Sequence, residues 1–285
     1  MSTRSAILVI NPGRPEAIAA AKTLVSLLSD ADFRLFTTSP VEVPGLTQVA
    51  NDQLPQAEVV IVLGGDGTIL RGAEISRMQG VPLLGVNLGH VGFMAEVEKH
   101  SLETVASSVA AKSYTTDPRM ILSYSVDRGG VEISSGWSLN EVTIERAEST
   151  MVELFVQVDR RPLSRWGCDG LIAATPTGST AYAFSAGGPV LWPNLDAVVL
   201  LPISAHALFS RPMVISPQSE IVVEVESEVA MLSADALREF SLLKGDRVRI
   251  TGDSSQVLLA HVTPTLFTDR LVAKFKLPVE GWRGE

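Results

Sequence analysis

The sequence has little cysteine, no excess of positive charge and no long apolar run. Its 285 residues contain a single cysteine, Cys168, which excludes an intrachain disulfide and zinc-finger spacing. The formal net charge is -9, from 23 Lys and Arg against 32 Asp and Glu. Because nucleic-acid binding depends on basic side chains that displace phosphate counterions, this balance disfavours a nucleic-acid partner. It favours small ligands, with local basic groups, backbone amides or a metal wherever a ligand is anionic.

The chain also lacks a segment typical of a membrane span. Its longest stretch without Asp, Glu, Lys or Arg covers residues 170–195, and three prolines interrupt it. A membrane helix needs about 20 mostly apolar residues, so we expect no membrane partner. The apolar run at residues 6–10 is too short for the core of a signal peptide, and the expected location is the cytoplasm. With 46% hydrophobic and 19% charged residues, the composition is that of a folded chain.

Several common functional motifs are missing as well. No G-x-x-x-x-G-K-[ST] segment occurs, no G-x-G-x-x-G follows Leu63, and no G-x-S-x-G elbow is present. The four histidines have no metal-ligand spacing, so they are better interpreted as structural residues than as metal ligands; they are His90, His100, His206 and His261.

The hydrophobic pattern changes part-way along the chain. Residues 1–115 alternate apolar strand-like runs with helical periodicity, which predicts a parallel sheet with helices on its faces. Residues 116–265 contain many short strand-like runs, several of them alternating with period two, which predict a β-rich domain. The predicted strands are 121–126, 139–144, 152–158, 171–174, 198–201, 221–225, 248–250 and 257–260. Residues 266–285 carry aromatic side chains and form a tail that must dock elsewhere.

The sharpest local motif is Gly64-Gly-Asp-Gly-Thr68, directly after a continuous apolar run at 59–63 and before a predicted helix. In open α/β sheets, ligands bind beyond the carboxyl ends of the strands, where glycines let backbone N–H groups approach phosphate. A carboxylate there would repel bare phosphate, which indicates a role for Asp66 as a proton acceptor or beside Mg²⁺. The alternative is a tight turn in which Asp66 caps the helix.

Two further segments are candidates for ligand contact. Thr175-Pro-Thr-Gly-Ser-Thr-Ala-Tyr182 follows a predicted strand, and its small hydroxyl residues and single aromatic ring suit a flat ligand with polar edges. A close-packed helix is the alternative for this segment. Asn140-Glu141 places an amide beside a carboxylate, which suits an adenine edge and ribose hydroxyls, although taken alone a turn at a strand end is the better explanation of the pair.

Together these segments resemble the bacterial NAD kinase family over most of the chain. Gly-Gly-Asp-Gly-Thr alone also occurs in diacylglycerol and sphingosine kinases, whereas the Thr-Pro-Thr-Gly-Ser-Thr-Ala-Tyr run is far more specific. The closing segments resemble the actinobacterial branch. The remaining motifs that carry the resemblance are Gly85-Val-Asn-Leu-Gly89, Asp169-Gly170, Ser185-Ala-Gly-Gly-Pro189, Arg211-Pro212, Phe267-Thr-Asp-Arg-Leu-Val272 and Gly281-Trp-Arg283.

The resemblance implies the NAD kinase/diacylglycerol kinase-like fold: an α/β N-terminal domain, a β-rich C-terminal domain and a tail that returns to the N-terminal domain. It implies transfer of a phosphoryl group from ATP, or in some members inorganic polyphosphate, to the 2′-hydroxyl of the adenosine ribose of NAD. Mg²⁺ would be bound with the donor phosphates, and a homodimer or homotetramer is expected. Asp66 would be the catalytic base, and the binding residues would be Gly65, Asp66, Gly67, Arg71, Asn140, Glu141, Asp169, Thr177, Thr180, Ala181, Tyr182 and Ser185.

Two alternative functions are considered, and the sequence departs from the family pattern at one position. A non-catalytic NAD(P)-binding sensor would gain little from Asp66 beside phosphates, and a lipid kinase would need an apolar groove in place of the hydroxyl-rich segment. Many family members have Asp-Gly where this chain has Asp235-Ala236. If that position needs a positive φ, alanine strains the turn.

Overall fold

The computed structural model describes residues 4–86, 88, 92–95, 102–263 and 266–279. Gly89, His90 and His100 therefore lie outside the described residues, as does the Gly281-Trp-Arg283 motif. The chain divides into two compact units, Met1–Pro118 with Val257–Glu285, and Arg119–Gln256. No helix within the described ranges is long and apolar enough to cross a membrane.

Helices are few and strands are many in the described residues. The helices are α1 (Pro15–Ser29), α2 (Asp66–Gln79), α3 (Leu102–Ala111), α4 (Tyr182–Ser185) and α5 (Phe267–Phe275), with 3₁₀ turns at Asn51–Gln53 and Gly178–Thr180. The strands are β1 (Arg4–Ile10), β2 (Phe33–Thr37), β3 (Leu46–Gln48), β4 (Val59–Leu63), β5 (Leu83–Val86), β6 (Thr115–Arg128), β7 (Val131–Ser138), β8 (Glu141–Arg146), β9 (Val152–Val158), β10 (Arg161–Cys168), β11 (Gly170–Ala174), β12 (Val198–Ile203), β13 (Met213–Ile215), β14 (Ile221–Val225), β15 (Val229–Ala234), β16 (Arg238–Leu243) and β17 (Arg247–His261).

The first unit is built on a parallel sheet, as the sequence pattern predicts. Its strands lie in the order β17-β5-β4-β1-β2-β3, and each neighbouring pair is parallel. Ile10 pairs with Leu63, and Leu63 with Val86. The carboxyl ends of β1, β4 and β5 therefore stand level, and the loop that begins at Gly64 leaves the sheet at the edge where α/β proteins bind ligands.

The second unit contains two antiparallel sheets. One runs β10-β9-β14 and then the first half of β17, and the other runs β13-β12-β11-β8-β15-β16. Strand β11 is buried on both faces: Leu171 and Ala173 belong to the core shared by the two sheets, while Ile172 and Ala174 pack with Ala183 and its neighbours. Burial of both faces explains its unbroken apolar sequence.

Residues 257–261 pair differently from what the sequence pattern predicts. The pattern groups them with the β-rich domain, but Leu259 and Ala260 pair in parallel with Leu83 and Leu84 of β5. One long strand, β17, thus replaces the two short strands expected at 248–250 and 257–260. Its second half belongs to the first unit because its hydrogen-bond partners are there.

The C-terminal helix packs on the first unit, so the expected return of the tail is seen in α5. The Phe93 ring lies 6.0 Å from the ring of Phe267 and 5.6 Å from that of Phe275. Arg270 is buried and donates to the Phe93 carbonyl oxygen at 2.7 Å, and its guanidinium lies 3.2 Å from Nδ1 of His261. The helix therefore supports the backbone that carries Phe93.

Candidate functional site

The glycine loop after β4 is built to leave its backbone accessible. Gly65 and Gly67 face open space, because a methyl group added to either would meet no described atom within 4 Å. Gly65 is the N-cap of α2, and the helix begins at Asp66. The first N–H groups of a helix have no partner within it, and the helix dipole adds positive potential there. This terminus can bind an anion such as phosphate.

Asp66 occupies the first turn of α2 and does not cap it. The N-cap is Gly65, and no side chain makes a capping hydrogen bond there, so a capping role for Asp66 is not what the structure has. Its carboxylate instead faces the segment 92–94. The N–H groups of Phe93 and Met94 lie 3.5 Å from Oδ2 and Oδ1 respectively. A side chain at Gly92 would collide with Oδ1 at 2.5 Å, so this glycine permits the close approach.

Arg71 lies farther along the same helix and is exposed. Asp66 and Arg71 therefore share one helix, five positions apart in the sequence. The structure brings together Gly65, Asp66 and Gly67 at the start of α2, with the Phe93–Met94 backbone as an additional neighbour that the sequence did not reveal.

In the second unit, Asn140 and Glu141 stand at the beginning of β8, and both are buried. Asn140 Oδ1 and Glu141 Oε2 are buried atoms with no hydrogen-bond partner among the described residues. Leaving such acceptors unpaired costs about 1–3 kcal/mol each, so native proteins rarely keep them without a reason. A ligand that donates hydrogen bonds would satisfy both.

Burial changes the acidity of this site. Desolvation, aided by the charge of Asp235, raises the pKa of Glu141 to about 8. Desolvation also raises the pKa of Asp235 to about 6, against three backbone N–H groups that lower it. The backbone N–H of Tyr182 faces Glu141 and favours its ionised form. Hydrogen bonds to the ionised form of a carboxylate stabilise that form, so a neutral ligand that donates to Glu141 would favour its ionised state.

A cavity of about 350 Å³ lies beside these residues. Its size falls in the usual range of small-molecule sites. Tyr182 forms part of the wall, and its hydroxyl lies 3.3 Å from Oε2 of Glu145, which also accepts from Thr143 at 2.7 Å through Oε1. The lining residues are Glu141, Thr143, Glu145, Arg146, Tyr182, Met231, Ser233, Asp235, Ala236 and Glu239.

The hydroxyl-rich segment is tied to the start of β8. Thr175 donates from its backbone N–H to the Asn140 carbonyl at 2.8 Å and from its hydroxyl to the Leu139 carbonyl at 2.6 Å. The segment folds as a 3₁₀ turn followed by the four-residue α4, and not as one continuous helix. At Gly178 an added side chain would lie 2.0 Å from the Asn140 carbonyl oxygen.

The other predicted ligand residues occupy varied positions. Thr177 is buried, Thr180 and Ala181 are partly buried, and Ser185 is exposed. None of these four lines the cavity described above. Asp169 does not line the cavity either, but its Oδ1 accepts a hydrogen bond at 2.9 Å from Nε of Arg146, which does line it.

Of the ten residues that line the cavity, only Glu141 and Tyr182 were predicted as ligand residues, and several charged ones were missed. Asp235, Glu145 and Arg146 all line the cavity, and none was predicted as a ligand residue. For Asp235 a signal existed, namely the Asp235-Ala236 pair at the place of a common Asp-Gly. Ala236 does adopt a positive φ of 52°, so the strain anticipated for alanine in this turn is present.

Family models of known proteins match most of the chain. Residues 6–114 match the ATP-NAD kinase N-terminal domain, and residues 139–262 match the ATP-NAD kinase C-terminal domain. The chain belongs to the ATP-NAD kinase family. Among its relatives, NAD kinase 2 of Streptomyces avermitilis is 44% identical over 292 residues, covering 99% of this chain and 97% of the relative. The NAD kinase of Corynebacterium diphtheriae is 45% identical over 296 residues, covering 99% and 93%.

Solved structures of NAD kinases have the same fold. A yeast NADH kinase complexed with NADH matches with a TM-score of 0.85 at 22% identity, covering 96% of this chain and 87% of that one. An NAD kinase from Archaeoglobus fulgidus in complex with ATP matches with a TM-score of 0.73 at 25% identity, covering 96% and 98%. The predicted fold class, NAD kinase membership and resemblance to the actinobacterial branch are confirmed.

Proposed function

We propose that this NAD kinase family member transfers the terminal phosphoryl group of ATP to the 2′-hydroxyl of the adenosine ribose of NAD, giving NADP and ADP. The observation that carries the proposal is the pair of buried, unpartnered acceptors Asn140 Oδ1 and Glu141 Oε2. An adenosine moiety supplies an exocyclic amino group and ribose hydroxyls, which are the donors that such a pair requires.

The second unit, residues 119–256, acts as the NAD-binding domain in this proposal. Asn140 and Glu141 hold the adenosine part, and Tyr182 offers an aromatic face beside the cavity. The remaining NAD contacts come from hydroxyl and backbone groups of the segment after β11 and from Asp169. The residues assigned to these contacts are Asp169, Thr177, Thr180, Ala181, Tyr182 and Ser185.

Residues 1–115 act as the phosphate-binding domain, with Asp66 as the general base. Asp66 accepts the proton of the 2′-hydroxyl while the ribose oxygen attacks the terminal phosphorus; the bond to the bridging oxygen breaks and ADP leaves. The N–H groups of Phe93 and Met94 face the Asp66 carboxylate and limit its orientation. Gly65, Gly67 and Arg71 bind the donor phosphates, with the open backbone at the start of α2 supplying N–H groups.

The residues of the loop fit a magnesium ion carried by the donor. Asp66 is the one acidic residue among residues 64–71. Within the described residues, no group of three or more His, Cys, Asp or Glu side chains could form a metal cage. Mg²⁺ commonly binds through one or two carboxylates together with substrate phosphates, which matches this donor set. When bound, the ion neutralises phosphate charge.

Turnover of purified protein tests the proposal. We would incubate the protein with Mg²⁺ and NAD, add ATP or inorganic polyphosphate in parallel, and quantify NADP with a coupled NADP-specific dehydrogenase. NADP formation with ATP is the expected result, and formation with polyphosphate would extend the donor range. Binding of NAD without NADP formation would instead favour the sensor alternative. Phosphorylation of diacylglycerol, with NAD unchanged, would favour the lipid kinase alternative.

We further propose a cytoplasmic homodimer or homotetramer. The charge-free stretch 170–195 is only partly available for an interface, because β11 and the turn after it are buried within their own unit. Large apolar side chains later in that stretch and beyond it are nevertheless exposed: Trp192 and Leu195 are each 47% exposed, and Phe209 is 55% exposed. Light scattering should give at least twice the monomer mass, and an active monomer at assay concentration would contradict the assembly.

A further inference from the structure

We propose that Asp235 is a positioning residue for the reaction: its buried carboxylate holds the backbone at 139–141 so that Asn140 and Glu141 present their side chains to NAD. The inference rests on the proposed function, because it assigns the purpose of this arrangement to the NAD site. Asp235 itself is not assigned a contact with the reacting atoms.

The carboxylate of Asp235 accepts hydrogen bonds from three consecutive backbone N–H groups. Oδ2 accepts from Leu139 at 2.7 Å, and Oδ1 accepts from Asn140 at 2.7 Å and from Glu141 at 3.3 Å. In return, the backbone N–H of Asp235 donates to the Glu141 carbonyl at 3.1 Å. Asp235 is only 4% exposed, so these bonds are shielded from water.

The topology explains why a side chain is needed at this point. Strand β15 pairs with β8, and the last paired residues are Ala234 and Val142. Leu139, Asn140 and Glu141 therefore lie just beyond the end of this pairing, where β15 offers no further carbonyl groups to their N–H groups. Asp235 follows Ala234 directly and supplies the missing acceptors. Three donors on one carboxylate fix its direction and the backbone together.

The turn that carries Asp235 is itself held in an unusual conformation. Asp235 and Ala236 have φ values of 55° and 52°, and the Leu237 N–H donates to the Ala234 carbonyl at 3.0 Å. Two successive positive φ values are typical of the type I′ turns that close β-hairpins. This turn points the Asp235 carboxylate back toward the start of β8, and the chain maintains it although Ala236 has no glycine-like freedom.

Kinetics of Asp235→Asn test the proposal. Asparagine keeps the size of the side chain but replaces one acceptor oxygen with an NH₂ group, which cannot accept from the backbone. A buried N–H left without an acceptor should loosen the 139–141 segment, and we expect KM for NAD to rise about tenfold. KM for ATP should stay within about twofold, because the donor phosphates bind elsewhere in the proposal.

A pH profile gives a second readout that a purely structural role would not move. Since the charge of Asp235 contributes to the raised pKa of Glu141, Asp235→Asn should lower that pKa. Ionised Glu141 is the better acceptor, so KM for NAD should fall as pH rises through its pKa. The midpoint of this fall should lie at lower pH in the variant. Other charged or titratable groups around Glu141 and the cavity are Glu145, Arg146, Tyr182, Arg238 and Glu239.

Asp246→Asn is the matched control. Asp246 is also fully buried in the second unit, accepts from the Leu243 N–H at 2.8 Å and pairs with Arg128 at 2.7 Å, but it does not line the cavity. This variant should lose thermal stability while both KM values stay unchanged. If both variants raise KM for NAD equally, the effect of Asp235 is general destabilisation, and the positioning role is wrong.

The remaining outcomes are also decisive. If Asp235→Asn does not fold, the same substitution is made together with Ala236→Gly, which relaxes the turn, and is compared with Ala236→Gly alone. An unchanged KM for NAD and an unchanged pH midpoint would overturn the positioning role while leaving the proposed function intact. Absence of NADP formation by the unaltered protein would overturn the proposed function instead.

Discussion

Replacing Gly178 with alanine should separate two segments of the proposed NAD site. In the structure, a methyl group on Gly178 would lie 2.0 Å from the carbonyl oxygen of Asn140, 2.4 Å from its carbonyl carbon and 2.7 Å from its Cα. All three atoms are backbone, so no side-chain rotation can relieve the collision. Either the 3₁₀ turn at Gly178–Thr180 or the start of β8 must move.

The displacement is large for a buried site. A normal contact needs about 3.4 Å, so the segments must separate by roughly 1.4 Å, against the bonds by which Thr175 holds Leu139 and Asn140. Inserting a methyl group into a packed interior typically costs about 1–3 kcal/mol, and we expect the upper part of that range. A misplacement of this size in a binding site can also reduce activity by about 10²-fold.

Urea unfolding and steady-state kinetics provide the assay. Gly178→Ala should lower the free energy of unfolding and raise KM for NAD, with little change in KM for ATP. Gly167→Ala is a suitable control, because its methyl group would meet only the flexible end of Met151 at 3.7 Å. That control should stay within about 0.5 kcal/mol of the unaltered protein. If Gly178→Ala matches the control in stability and in both KM values, the close approach at Asn140 is not required and the reasoning is refuted.

Three further predictions concern the other residues. Asp66→Asn should keep the fold and lower turnover by about 10²–10⁴, as expected for loss of a positioned base, and near-normal turnover would contradict that role. Tyr182→Ala should raise KM for NAD roughly threefold to tenfold if the ring stacks on a base, and Tyr182→Phe should be milder; equal weakening toward ATP would place the ring in a structural role. Ala236→Gly should stabilise the protein by about 0.5 kcal/mol in urea unfolding, because relief of a left-handed alanine exceeds the added chain entropy, and a loss of stability would contradict the strained turn.

The strands that the sequence predicted correctly are those whose pattern of apolar side chains reflects their burial. Strand β4 was located at its observed bounds because it is buried on both faces and reads as an unbroken apolar run. Strands β9 and β14 were also located at their observed bounds, within a domain correctly predicted as β-rich. By contrast, β7 and β10 were missed, since many of their side chains are exposed and carry no apolar pattern.

The sequence selected candidate site residues but did not reveal their surroundings in the fold. Motif resemblance selected Asn140 and Glu141, but nothing in their spacing revealed that their acceptor atoms are buried without partners. Likewise, the Gly-Asp-Gly motif left Asp66 as either a helix cap or a functional carboxylate. The structure rejects the cap because the helix begins at Asp66 itself, and the catalytic role remains a prediction.

By itself, the sequence determined the class of protein. Local hydrophobic periodicity predicted the α/β and β-rich architecture, and the set of motifs that resemble the NAD kinase family predicted membership in it. Only the tertiary structure decided the contacts between distant segments: Asp235 on the three N–H groups that begin with Leu139, and Gly178 against Asn140. These partners are separated by 96 and 38 positions along the chain, and strand pairing and register bring them together. Periodicity reports which face of an element is buried, whereas the identity of the neighbour depends on how the whole chain packs.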